Sequence, residues 1–156
     1  MKKIAALALV VSIGLVGCVT QPTQQKSALE LQAIQVKEFE TNQKIAFTSV
    51  LSVFQDLGYV VSSASIDTGL ITAKSPTKQD FVLFVGQRMT DEKANAFVEQ
   101  IGPNRTKIRL SFVKSEQTSS GYGMRGERDT PVQDPTPYQN AFAKIQQSIF
   151  VRSNTN

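Results

Sequence analysis

Hydrophobic positions recur along the chain in two periods. In Leu31 to Glu40, Ile34 and Val36 alternate with Gln35 and Lys37, a period of two that predicts a strand. Thr41 or Asn42 then stands where a side-chain oxygen caps a helix. Ala46, Val50, Val53 and Leu57 follow at spacings of four, three and four, and Phe47 and Phe54 widen the stripe, so this helix buries one face. Gly58 is placed to end it in the left-handed conformation. Tyr59 to Ile66 and Leu70 to Lys74 are β-prone and flank Asp67-Thr68-Gly69, the signature of a three-residue hairpin loop.

Phe81 to Val85 is a continuous apolar run that fits a buried strand or a helical turn equally well. Asn95 to Ile101 and Thr106 to Lys114 predict a second hairpin around Gly102-Pro103-Asn104-Arg105. Ile108, Leu110 and Phe112 alternate there with Lys107, Arg109 and Ser111, one face wet and one dry. Ser115 to Gln133 is poor in apolar residues and rich in turn formers, and reads as a long loop. Asp134 and Pro135 open a last helix whose stripe is Tyr138, Phe142, Ile145 and Ile149, flanked by Ala141 and Phe150. The expected fold is α+β: an antiparallel sheet with two helices packed on one face, in the order β-α-β-β-(β)-β-α.

The beginning of the chain follows another logic. Met1-Lys2-Lys3 is a positive start, and Ile4 to Val16 is apolar or small but shorter than the about 20 residues of a membrane span. The run ends at Leu15-Val16-Gly17-Cys18, which resembles a bacterial lipobox. That resemblance implies cleavage before Cys18 and acylation of Cys18, so residues 1–17 are expected to be a lipoprotein signal peptide. Two or more acyl chains hold a protein firmly to a bilayer. Val19 in place of aspartate points to the outer membrane, by analogy with enterobacterial sorting, with the domain facing the periplasm. Residues 18–30 are then the lipidated cysteine and a polar tether, with a short helix at Ser27 to Gln32 left open as an alternative, and residues 31–152 a single domain.

Composition narrows the chemistry. The 156 residues include no histidine and one cysteine, which excludes imidazole catalysis, a disulfide framework within one chain and a cysteine-rich zinc site. The formal charge of +4 falls to +2 when Lys2 and Lys3 leave with the signal, and no dense basic stripe remains for a nucleic acid. Gly121-Tyr122-Gly123-Met124-Arg125-Gly126 spells G-x-G-x-x-G, but no helix is predicted after it to meet a pyrophosphate. Asp91-Glu92 and Glu127-Arg128-Asp129 lack the pattern of a calcium loop and read as solvated charges. Lys74 and Ser75 are adjacent on a strand and point to opposite faces, which separates them as a catalytic pair. Asn104-Arg105-Thr106 spells a glycosylation acceptor, incidental beside a bacterial export signal.

Phe39-Glu40-Thr41, the helix end Phe54 to Tyr59, the segment Thr68 to Lys74, and the endings Tyr138 to Phe142 and Ser148 to Phe150 are similar to those of a group of small, mostly uncharacterised Gram-negative lipoproteins. The hairpin segment also resembles the helix-grip domains of the C lipoprotein of the outer-membrane barrel assembly machine. The resemblance implies an envelope location and a helix-grip-like fold, and carries no catalytic residues. The expected function is non-catalytic, without cofactor or metal: a protein-binding accessory module of outer-membrane assembly or secretion machinery. Its anchor is Cys18 and its partner an envelope protein. The candidate partner-binding loop holds Tyr122, Met124, Arg125 and Arg128, residue types enriched at interfaces. The alternative is a small ligand or lipid in a cavity between sheet and helix.

Overall fold

A computed structural model describes residues 26–82, 86–120, 123 and 125–154. The segment read as a signal peptide, residues 1–17, and Cys18 therefore lie outside the described residues. The first described element is a helix, α1 (Ala28–Gln35), followed by β1 (Val36–Phe39). The strand expected over Leu31 to Glu40 is thus confined to its second half, and the first turn of α1 falls within the segment read as tether. The reason is local. Ser27 and Glu30 form a capping box, in which the Ser27 hydroxyl accepts from the Glu30 amide at 3.3 Å and the Glu30 carboxylate accepts from the Ser27 amide at 2.8 Å. That pair of bonds satisfies two otherwise orphaned amides and starts the helix before the alternation of Ile34 and Val36 can act.

Helix α2 (Gln43–Asp56) starts at Asn42, whose side chain accepts from the Ile45 amide at 2.9 Å. It ends at Leu57, and Gly58 follows at φ +86°. Next come β2 (Val60–Ser65), β3 (Leu70–Lys74), β4 (Lys78–Val82), β5 (Gly86–Gly102), β6 (Arg105–Ser119), β7 (Arg125–Pro131) and helix α3 (Pro135–Ser153). Asp134 caps α3 through the Thr136 amide, with Pro135 in the first turn. The seven strands form one sheet with antiparallel pairing throughout.

Two strands are far longer than the rest. β5 has 17 residues and β6 has 15, and they pair along their whole length. Their halves next to the Gly102–Arg105 turn belong to the path β1-β6-β5-β3-β2. Their other halves are flanked instead by β4 beside β5 and β7 beside β6. The sheet therefore has two tiers built on one hairpin.

The tier next to the turn carries the core. Ala94, Ala96 and Val98 from β5 and Ile108, Leu110 and Phe112 from β6 are buried under Val50, Val53 and Phe54 of α2 and Tyr138, Ala141 and Ile145 of α3. This is the expected α+β arrangement of two helices on one face of an antiparallel sheet. Both helical stripes are placed as expected, except that Phe150 stays 69% exposed. Helix α3 continues to Ser153, and with Ile149 already on the sheet-facing side the next position is rotated by about 100° toward water.

Candidate functional site

The second tier is a four-stranded arm in the order β4-β5-β6-β7, made of Lys78–Val82, the first part of β5, the second part of β6 and Arg125–Pro131. The region expected to be a loop, Ser115 to Gln133, contributes the end of β6 and all of β7 to it. Its side chains are polar on both faces, so no alternation marks it as strand; pairing with β6 holds it. All seven residues of β7 are exposed. Phe81 and Val82, the start of the ambiguous apolar run, end strand β4, and Leu83, Phe84 and Val85 lie outside the described residues.

Of the candidate loop residues, Arg125 and Arg128 are on β7, while Tyr122 and Met124 lie outside the described residues, as does Cys18. Arg125 stands opposite Ser119 and Arg128 opposite Glu116. An odd separation along a strand puts the two guanidinium groups on opposite faces of the arm. The fold therefore brings both arginines to one edge but does not converge them on one point. Arg125 borders a shallow cleft with Gln87, Met89, Gln117 and Glu127 on the face turned away from the helices.

The G-x-G-x-x-G sequence leads into a strand, since Gly126 pairs with Thr118. Gly123 has φ +80° and its amide donates to the Ser120 carbonyl at 3.0 Å, a turn geometry. No helix N-terminus follows to face a phosphate.

Charges at the base of the arm are more organised than solvated side chains. Asp91 is 7% exposed and pairs with Lys74 at 2.9 Å, so the expectation of a solvated carboxylate fails for it. Packing on the long β5 strand removes it from water, and Lys74 on the neighbouring strand supplies the counter-charge. Its neighbour Glu92 points to the helix side and accepts a hydrogen bond from the Tyr59 hydroxyl. Burial, reinforced by that bond and the carboxylate charge, pushes the Tyr59 phenol well above its ordinary pKa. Ser75 is also occupied: its hydroxyl accepts from the Glu92 amide at 2.9 Å, away from Lys74.

Across the arm, Asp129 accepts from the Ser115 hydroxyl and pairs with Lys93 at 2.9 Å. The Ser115 bond, then Lys93, hold the Asp129 carboxyl below the usual aspartate range. Arg88 pairs with Glu116 at 2.8 Å on the other face. No sequence motif announces these partners, because they are distant along the chain and meet only through strand register.

No group of three or more acidic, cysteine or histidine side chains suited to a metal is present among the described residues. No described helix is long and apolar enough to cross a membrane. The layer between sheet and helices is filled by Tyr138, Phe54, Phe112 and Ile145. Two further clefts lie outside that layer, one between β1 and α3 and one between α2 and α3.

No protein-family model matches the chain, and no curated protein matches it. Among solved structures it is similar to a TBP-like protein from Parabacteroides distasonis, with 12% identity over 73% of this chain and 90% of that one, at a TM-score of 0.38. That similarity assigns no family.

Proposed function

We propose that the chain is a non-catalytic lipoprotein of the outer membrane, anchored through acylated Cys18 and facing the periplasm. In this reading it serves assembly or secretion machinery by binding an envelope protein along its arm. The observation that carries it is β7: seven exposed residues at the edge of a sheet that extends beyond its own helices. An edge strand offers unpaired backbone groups to a partner strand. Here Arg125, Glu127, Arg128 and Asp129 discourage indiscriminate pairing and would select a partner of complementary charge pattern.

The anchor rests on the lipobox-like Leu15-Val16-Gly17-Cys18 and on the likeness to small Gram-negative lipoproteins. Fatty-acid labelling in a Gram-negative host tests it: the wild-type chain takes label, and Cys18→Ser takes none and keeps its signal peptide. Normal processing of Cys18→Ser would sink the lipoprotein reading. Capture from envelope extracts tests the arm, because R125E together with R128E should release a partner that the wild-type chain retains.

A further inference from the structure

Four strands lie at the edges of the described sheet: β1 and β7 beside β6, β2 beside β3 and β4 beside β5. β1, β4 and β7 each carry charged residues. β2, Val60-Val61-Ser62-Ser63-Ala64-Ser65, carries none. Among the described residues no strand pairs with its outer side. Charge on an edge keeps it from pairing with another chain, and β2 lacks that guard. We infer that β2 pairs antiparallel with β2 of a second copy of this chain, joining two sheets into one across a twofold axis.

Charge selects the second copy as the occupant. In an antiparallel pair about a twofold axis, the residue at the strand middle faces its own counterpart. For β7 that residue is Arg128, with Glu127 set opposite Asp129. For β4 it is Asp80, and for β1 it is Lys37 or Glu38. Like charges directly opposite one another destabilise a pair, so these three edges reject their own copies. β2 meets its copy through serine, alanine and valine alone. It also has no charged group with which to select a foreign strand.

The side chains beside the edge support the pairing. From Tyr59 to Ala73 the only charged residue is Asp67, in a chain of which 19% is charged. Val60 is 66% exposed, and Ile66 just after β2 and Leu70 opposite Ser65 are exposed as well. The register with β3 shifts between Val61 and Ser63, so the regular ladder on offer is short, and burial of these apolar groups has to add to it. β2 and β7 lie on opposite sides of the β5–β6 hairpin. A pair joined at β2 therefore leaves the β7 edge open in both copies.

The test weighs the full chain in detergent by size-exclusion chromatography with light scattering, over a dilution series. Wild type and Cys18→Ser should both give twice the mass of one chain, because the pairing needs neither acyl chains nor the thiol. Ser63 is exposed near the middle of β2, so pairing along the strand sets it close to its counterpart. S63K and S63E should each give the mass of one chain, with melting temperatures within a few degrees of wild type. Mixed in equal amounts, the two should return to the two-chain mass through a Lys–Glu pair. R125E together with R128E should keep the two-chain mass, so loss of an arm partner and loss of self-pairing are read separately. A wild-type chain that stays at one-chain mass throughout overturns the inference. So does a two-chain mass that survives both S63K and S63E, one that their mixture fails to restore, or one that Cys18→Ser abolishes.

Discussion

The hydroxyl of Tyr138 donates a 2.9 Å hydrogen bond to the carbonyl of Val132 and accepts one from the amide of Phe112 at 3.4 Å. Its ring is fully buried 5.0 Å from that of Phe112. One side chain on α3 thus joins the middle of β6 to the chain leaving β7, at the level where the helix-covered tier gives way to the arm.

Tyr138→Phe keeps the ring and removes the bonds. It leaves the Val132 carbonyl and the Phe112 amide short of a partner, at a cost of about 1–3 kcal/mol. A domain of this size has roughly 5–15 kcal/mol in total, so the melting temperature should fall by several degrees. An unchanged melting curve would show that the hydroxyl contributes nothing net.

Two glycines separate backbone strain from crowding. Gly58 has φ +86° with open space where a Cβ would stand. Gly69 has φ +70°, and a Cβ there would lie 2.2 Å from the Val98 carbonyl oxygen. Gly58→Ala should cost about 1–2 kcal/mol for the left-handed conformation alone. Gly69→Ala adds a backbone collision at the β3–β5 junction and should cost clearly more. Equal losses in denaturant unfolding would mean that the loop before β3 relaxes freely.

Much of the helix-covered tier is legible in the sequence because burial there imposes a period. The stripes of α2 and α3 and the alternation of Ile108, Leu110 and Phe112 all face one dry layer. Ala94 and Ala96 on β5 do the same work, but alanine carries little hydrophobic signal, so that strand is read too short. The arm leaves no trace of this kind. Both of its faces are polar, and pairing rather than side-chain pattern makes it a strand. α1 has no buried residue, and its only strong signal is the Ser27–Glu30 cap. Of the candidate residues, Arg125 and Arg128 are found on an exposed edge, but a loop reading carries no strand parity and so could not show that they face opposite ways.

Asp129 gives the arm a defined response to acid. Its pKa is depressed in the folded state, first by the Ser115 hydroxyl and then by Lys93. A depressed carboxyl stabilises above its unfolded pKa, and that contribution is lost as pH falls through the folded value. The effect is local because Asp129 is exposed, and screening limits it. Carbon NMR titration should therefore place the Asp129 midpoint below that of an ordinary aspartate. Ser115→Ala should raise it more than Lys93→Met does. The reverse ranking would make the ion pair, rather than the hydroxyl, the dominant partner.

Shortening the β6–β7 hairpin separates the arm from the core. Glu116 and Arg128 are directly opposed, so Gln117 to Glu127 can be replaced by Asn-Gly, the residues a two-residue hairpin turn requires. None of the described residues removed is buried, and the Arg88–Glu116 and Lys93–Asp129 pairs are kept. The core side chains under α2 and α3 are untouched, so the melting temperature should stay within a few degrees of wild type. The outer part of β5 loses its β6 neighbour, and amide exchange should quicken there and in β4, which pairs with that part of β5. If the arm edge holds the envelope partner, a partner captured by the wild-type chain is lost by this folded variant. Undiminished binding would move the site to the uncovered face of the sheet. There Leu70 and Phe97 stand opposite one another, at 53% and 38% exposure, with no helix across them among the described residues.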